Sequence, residues 1–250
     1  MTIKIHQKLV DDSNKNKELY LPSVSIDCTV FGFSEGILKV LLIKIKQAKQ
    51  WGLPGGYLKK DEDLHTATQR ILKERTGAGE IFLNHFNTYG DPYRSQEFFK
   101  DYPDDLWNKQ RFISIAYYAL IDFSTLTPTP GEYTKSAEWV DLNELPELMM
   151  DHGQILQDAL IHLRRDLNYK PIGLNLLPHK FTMPELQKLY ETLLDKKLNR
   201  GNFYRKMMRY GILTKLNETR KGGAHKAPDL YTFNQEVYEK TLKEGLQESW

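Results

Sequence analysis

The sequence predicts an α+β chain in two parts, a mixed sheet with helices over residues 1–169 and a smaller, helix-rich basic domain over residues 170–250. Three observations carry this reading. Residues 22–45 hold two strand-like runs, residues 51–78 read as a glycine-rich loop entering an amphipathic helix, and net positive charge is concentrated in residues 196–226. A length of 250 residues with 40% hydrophobic content is comfortable for two domains.

Residues 1–21 are polar and are read as an arm or a short helix. Next, Val24, Ile26, Cys28 and Val30 alternate with Ser25, Asp27, Thr29 and Phe31, the period of two of a strand. Residues 32–36 are turn-like, and residues 37–45 form a nearly continuous apolar run, as in a buried partner strand. In the helix after the glycine loop, Leu64, Ala67, Ile71 and Leu72 make the apolar stripe; Asp61 or Asp63 caps the start and Gly77 suits the stop. Residues 81–89 and 111–121 are further strands, separated by the excursion GDPYRSQEFFKDYPDDLWNKQ. Loops of that length are functional or disordered, and these aromatics argue against disorder. Residues 137–141 read as a last strand, and residues 151–168 as a linking helix behind a capping Asp151.

The composition changes after residues 169–171. Thr182 and Glu185 have capping-box spacing ahead of a stripe of Leu186, Leu189, Tyr190 and Leu193. Asn199 can cap the following helix, in which Phe203 and Met207 face inward while Arg200, Asn202, Tyr204, Arg205, Lys206 and Arg209 face outward. Strand-like runs at 212–216 and 230–233 then flank a hairpin carrying Arg220, Lys221, His225 and Lys226. Helix, turn, helix and basic hairpin is the pattern of a winged helix-turn-helix. Residues 196–226 hold ten Lys or Arg against one acid, Glu218, so +9 of charge is set against a whole-chain total of +2. Such an asymmetry fits a polyanion, double-stranded DNA above all. Arg and Asn on a recognition helix suit bidentate contacts to guanine and adenine, while wing cations neutralise phosphate. A merely solvated basic face is the plainer account, and the clustering counts against it.

Other chemistry is missing from the sequence. One cysteine, Cys28, excludes an intrachain disulfide and is read as a small core residue. No apolar run has the length of a signal peptide or membrane span, and a cytoplasmic protein is expected. There is no P-loop, no G-x-S-x-G and no H-E-x-x-H; seven scattered histidines show no ligand spacing, and no cofactor or metal is expected.

From residue 56 onward, Gly56, Glu62, Arg70, Leu72, Glu74, Gly77 and Ala78 keep the frame G-x5-E-x7-R-E-U-x-E-E-x-G-U of the Nudix box. The departures are Ile71 and Arg75, which stand where the box has its first and last helix carboxylates. Residues three and four apart share a helix face, so three negative charges become Ile71, Glu74 and Arg75, summing to zero. Mg2+ needs hard oxygen ligands beside substrate phosphates. The expectation is a protein without hydrolase activity that keeps the cleft as a sensor. Candidate effector-binding residues are Asp27, Lys44 (or Lys46), Trp51, Glu74 and Arg111. Asp27 has two readings, a surface residue or an acceptor aimed into the cleft. Trp51 is a core residue or a stacking platform, and Glu74 with Arg70 could be a plain i,i+4 pair.

The two halves together resemble the Nudix-related transcriptional regulators, and within them the arabinose-utilisation branch. The resemblance rests on LPGGYL (53–58), RILKERTG (70–77), Asp151-His152, NRGNFYRK (199–206) and GAHKAPDLYTF (223–233). It implies a homodimeric repressor that binds operator DNA and releases it when a small effector enters the Nudix-like cleft. Members of the family respond to ADP-ribose-type ligands or to sugars, and the arabinose branch implies L-arabinose. The expectation is a sugar-responsive repressor. The alternatives are an ADP-ribose-responsive regulator, an active hydrolase of ADP-ribose or another nucleoside diphosphate sugar, and a protein-interaction module with a basic tail.

Overall fold

The computed structural model describes residues 3–46, 49–79, 81, 83–104, 106–132, 134–174, 176–220 and 227–246, with side chains from residue 10 onward. By its internal contacts the chain divides into two compact units: Met1–Gly32 with Lys39–Ala159, and Phe33–Leu38 with Leu160–Trp250.

The polar N-terminal stretch is a helix, α1 (Ile3–Leu19). The first unit continues with strands β1 (Tyr20–Ser34), β2 (Ile37–Ile45), β3 (Trp51–Gly52) and β4 (Gly55–Lys59), then helix α2 (Leu64–Thr76). Strand β5 (Asn84–Tyr89), the short helix α3 (Gln96–Phe99), β6 (Ile113–Asp122), β7 (Thr134–Asp141) and helix α4 (His152–Asp166) follow. The mixed seven-stranded sheet runs β3-β2-β1-β6-β5, with β4 also pairing β1 and β7 also pairing β2. Its central position explains β1: every residue from Ser25 to Phe33 is buried, the polar ones included. Successive strand residues face opposite sides. Ile26, Cys28 and Val30 join Ala67, Ile71 and Leu72 of α2 in one core cluster, which sends Asp27 to the other face.

The strand expected over 81–89 begins only at Asn84. Gln69 of α2 takes the backbone of Ile81 instead, donating to its carbonyl at 2.5 Å and accepting from its N–H at 3.1 Å. A side chain thus satisfies the polar groups that a ladder would otherwise have to satisfy.

In the second unit, β8 (Phe181–Thr182) leads into α5 (Met183–Leu194), α6 (Arg200–Arg209), β9 (Leu213–Thr219), β10 (Asp229–Phe233) and α7 (Gln235–Glu244). Its sheet runs β8-β10-β9. The Thr182–Glu185 capping box is formed in both directions. Leu186, Leu189, Tyr190 and Leu193 are buried with Phe203 and Met207 of α6. Helix α7 is an element the sequence pattern did not announce. Asn234 caps it, and Tyr238 is its one buried residue, donating its hydroxyl to the carbonyl of Pro171 at 3.0 Å.

Candidate effector site and nucleic-acid interface

The box loop and α2 are held by frame residues rather than by the altered ones. Asp63 caps α2 by accepting from the Thr66 N–H at 2.7 Å, and Gly77 ends it in the left-handed region with φ of 71°. Arg70 donates to both oxygens of Glu62, at 2.9 and 2.5 Å, and to the carbonyl of Tyr57 at 2.8 Å. The Glu62 carboxylate also accepts from the Lys59 N–H at 2.7 Å. The Arg70 hydrogen bond, which outweighs partial burial, holds Glu62 below its usual pKa.

Ile71 is 1% exposed, and its branch sits under Gly56, where a β-carbon would come within 2.9 Å of it. Arg75 donates from Nε to the carbonyl of Gly55 at 3.1 Å. Where the box has two carboxylates on this face, the chain therefore has a buried aliphatic group and a guanidinium hydrogen-bonded to the loop. Glu74 remains, 54% exposed along its side chain, in a 3.1 Å pair with Arg70.

On the other face of the sheet lies a buried polar cluster. Asp27 accepts from the Ser114 hydroxyl at 2.5 Å and from Arg94 at 3.1 Å. The Arg94 side chain, only 5% exposed, donates through Nε and Nη2 to the two oxygens of Asp151, at 2.8 and 2.7 Å. His152 Nδ1 accepts from the Leu53 N–H at 2.9 Å, which leaves the proton on Nε2, 3.6 Å from Asp27. Burial lowers the His152 pKa, keeping the imidazole neutral. Burial pushes the Asp27 carboxyl up, but His152, Arg94 and the Ser114 hydroxyl outweigh it and leave it below its usual value. Gly55 is required here, since a β-carbon would come within 2.5 Å of an Asp27 oxygen. Tyr57 links the two sides: burial raises its hydroxyl to about 12, while Arg75, Asp27 and Arg94 all act on it.

Of the five effector-site residues expected, Asp27 is the one at the centre of this cluster. Trp51 is half-buried and bonded through its backbone to Glu147 and Met149, and the Lys44 ammonium lies 5.5 Å from its ring centre. Arg111 is exposed and donates to the carbonyl of Gly90 at 2.9 Å, closing the base of the long excursion. Among the described residues, no hydrogen bond or ion pair joins Lys44, Trp51, Glu74 or Arg111 to Asp27. Sequence reasoning missed Arg94 and Ser114. A lone Arg in a loop has no periodicity to betray it; Ser114, a polar residue inside an apolar strand, was a readable signal.

The second unit presents α6. Asn199 caps it by accepting from the Asn202 N–H at 3.0 Å. Arg200, Asn202, Tyr204, Arg205 and Arg209 are exposed, as the stripe implies, while Lys206 is half-buried with its ammonium 5.7 Å from the Tyr210 ring centre. Arg205 donates to the Asn202 carboxamide oxygen at 2.5 Å. The wing is less bare than its sequence suggests. Lys215 pairs with Asp229 at 2.7 Å, Lys180 with Glu218 at 2.7 Å and Arg220 with Glu185 at 2.9 Å. Lys221, His225 and Lys226 lie outside the described residues. Among the described residues, no helix is long and apolar enough to cross a membrane.

Residues 22–159 match the NUDIX domain family, and residues 173–233 match the NrtR DNA-binding winged helix domain. The chain is 28% identical over 225 residues to the ADPR responsive transcriptional repressor NtrR of Acinetobacter baylyi, across 87% of this chain and 84% of that protein. It is 32% identical over 150 residues to an ADP-ribose pyrophosphatase of Methanocaldococcus jannaschii, across 58% of this chain and 78% of that one. Shewanella oneidensis NrtR, solved with a 27mer DNA, shares the fold with a TM-score of 0.69 at 23% identity, over 86% of this chain and 95% of that chain. The chain thus belongs to the Nudix family and carries an NrtR-type winged helix domain behind its Nudix domain.

Proposed function

We propose that this protein is a cytoplasmic, ADP-ribose-responsive transcriptional repressor, binding operator DNA through α6 and the wing and using its Nudix cleft to sense rather than to cut. The observation that carries the reading is the pairing of two features in one chain. A capped helix exposes Arg200, Asn202, Tyr204, Arg205 and Arg209 within a winged helix, and a box helix has a buried Ile71 and a bonded Arg75 in place of two carboxylates. Effector identity leans on the Acinetobacter relative, whose name specifies ADP-ribose. The L-arabinose expectation finds no support in these relatives, and ADP-ribose replaces it. Homodimerisation, which would set two recognition helices against two half-sites, belongs to the same proposal.

Fluorescence anisotropy on DNA from upstream of the protein's own gene, titrated with ADP-ribose and separately with L-arabinose, tests this. Release by ADP-ribose and not by L-arabinose is the expected result. The rival reading is an active hydrolase, favoured by the 32% identity to the pyrophosphatase. Turnover of ADP-ribose with Mg2+ or Mn2+, abolished in Glu74→Gln, would establish the rival.

A further inference from the structure

We infer that the first unit holds a second small-molecule site, apart from the box helix, suited to a phosphomonoester on a flat apolar body. It is an open pocket of about 490 Å³, within the size range of small-ligand clefts. Its walls come from the end of α1, the start of β1, the long excursion and, from the box loop, Lys60 alone. No residue of α2 lines it, and Lys17 and Tyr20 precede the NUDIX match, which starts at residue 22.

The pocket is braced on its apolar side. Ser13 of α1 accepts from the Trp107 N–H at 2.9 Å, and Asn16 donates to the Asn108 carboxamide oxygen at 3.3 Å, so α1 is fastened to the excursion. Trp107 stands edge-on to Tyr57 with ring centres 4.4 Å apart, and its ring lies 5.0 Å from Phe112 and 5.8 Å from Tyr20. Tyr20, Pro22, Leu106 and Trp107 thereby form a preset apolar wall. Gln110 also lines the pocket; its Nε2 is shut off from solvent and has no hydrogen-bond partner among the described residues. Such unpaired buried donors are exceptions in folded proteins, and a turn of the carboxamide offers this one to an acceptor on the ligand.

The charges select the class of ligand. Lys109 is already engaged, donating to Asp104 and to the carbonyl of Tyr102, each at 2.6 Å. Lys60 donates to a neutral group, the carbonyl of Lys17, at 2.9 Å. Among the described residues, no carboxylate pairs with Lys17 or Lys60. Two cationic side chains therefore share the pocket without a counter-charge. A phosphomonoester carries about −1.5 to −2 at neutral pH and matches that pair, whereas a single carboxylate supplies about half as much. A nucleoside monophosphate combines this charge with a flat body and acceptors.

The test titrates the full chain with AMP, adenosine and inorganic phosphate, by calorimetry and by hydrogen exchange read in a mass spectrometer. AMP should bind more tightly than either part and slow exchange over residues 13–20 and 106–112, with residues 64–76 unchanged. Lys17→Gln and Lys60→Gln remove charge from exposed side chains, and each should weaken AMP about tenfold, the worth of one charge-assisted hydrogen bond, at an unchanged melting temperature. Undiminished AMP affinity in both variants, protection confined to residues 64–76, or no binding of AMP overturns the inference. Inorganic phosphate binding as tightly as AMP overturns it too, since that marks only a patch of surface lysines. Neither the inference nor its test depends on operator release.

Discussion

Ile71 and His152 show how single residues set what this scaffold can do. Ile71 packs in the core cluster under α2, and burying such a side chain stabilises by about 1.5–3 kcal/mol. Restoring the box residue with Ile71→Glu should place a carboxylate in that core and cost more than about 3 kcal/mol; denaturant melts will measure it. A stable variant with metal-dependent turnover would show that the position is a dormant ligand. His152 gives a pH prediction. Its folded pKa is lowered from 6.5 by burial, so the unfolded chain takes up the proton first as pH falls. Its stabilising contribution is whole above about pH 6.5 and declines toward pH 5, with a slope of at most about 1.4 kcal/mol per pH unit. His152→Asn, which can still accept from the Leu53 N–H, should flatten that slope. Parallel melting profiles for the two proteins would rule out a neutral buried imidazole.

At the scale of elements, the loop-and-helix of the box and the recognition helix are built by the same means: a capping side chain, a buried stripe and an exposed functional face. Asn199→Ala removes the α6 cap and should lower the stability of the second unit by about 1 kcal/mol. The Arg205–Asn202 pair presents a guanidinium beside a carboxamide, the pairing suited to adjacent guanine and adenine edges. Arg205→Ala should therefore weaken operator binding by about 1–3 kcal/mol and relax preference at one position. A uniform loss across sequences, with a salt slope lower by about one, would instead place Arg205 on phosphate. The wing strands contribute less to the field than a count of lysines suggests, because Asp229, Glu218 and Glu185 partner Lys215, Lys180 and Arg220.

For the whole molecule, the proposed function makes the coupling between effector and operator the governing quantity. If ADP-ribose lowers DNA affinity by a given factor, DNA must lower ADP-ribose affinity by the same factor. Calorimetric titration of ADP-ribose into free and operator-bound protein should return that equality, and a mismatch would mean that the two ligands do not act on one equilibrium. Ligand bound only by the folded chain should also raise its melting temperature, by the equivalent of about 2.7 kcal/mol at a hundred times Kd.

Much of the architecture was legible in the residues themselves. The box frame from Gly56 to Ala78, the Thr182–Glu185 cap, the Asn199 cap and the inward Phe203 and Met207 are all local signals, fixed by spacing along one helix or loop. The NUDIX match over residues 22–159 and the winged helix match over 173–233 agree with that reading. The ligand was not legible, since local spacing says nothing of what fills a cleft. Only the tertiary structure decided that Asp27 turns inward to Ser114, Arg94 and His152, partners 67 to 125 residues away in sequence, and that the wing cations meet acids from other elements. Periodicity records which face of an element is apolar. It carries no record of which distant charge will be brought against a buried carboxylate, because that is settled when the sheet and helices pack and every buried polar group must find a partner.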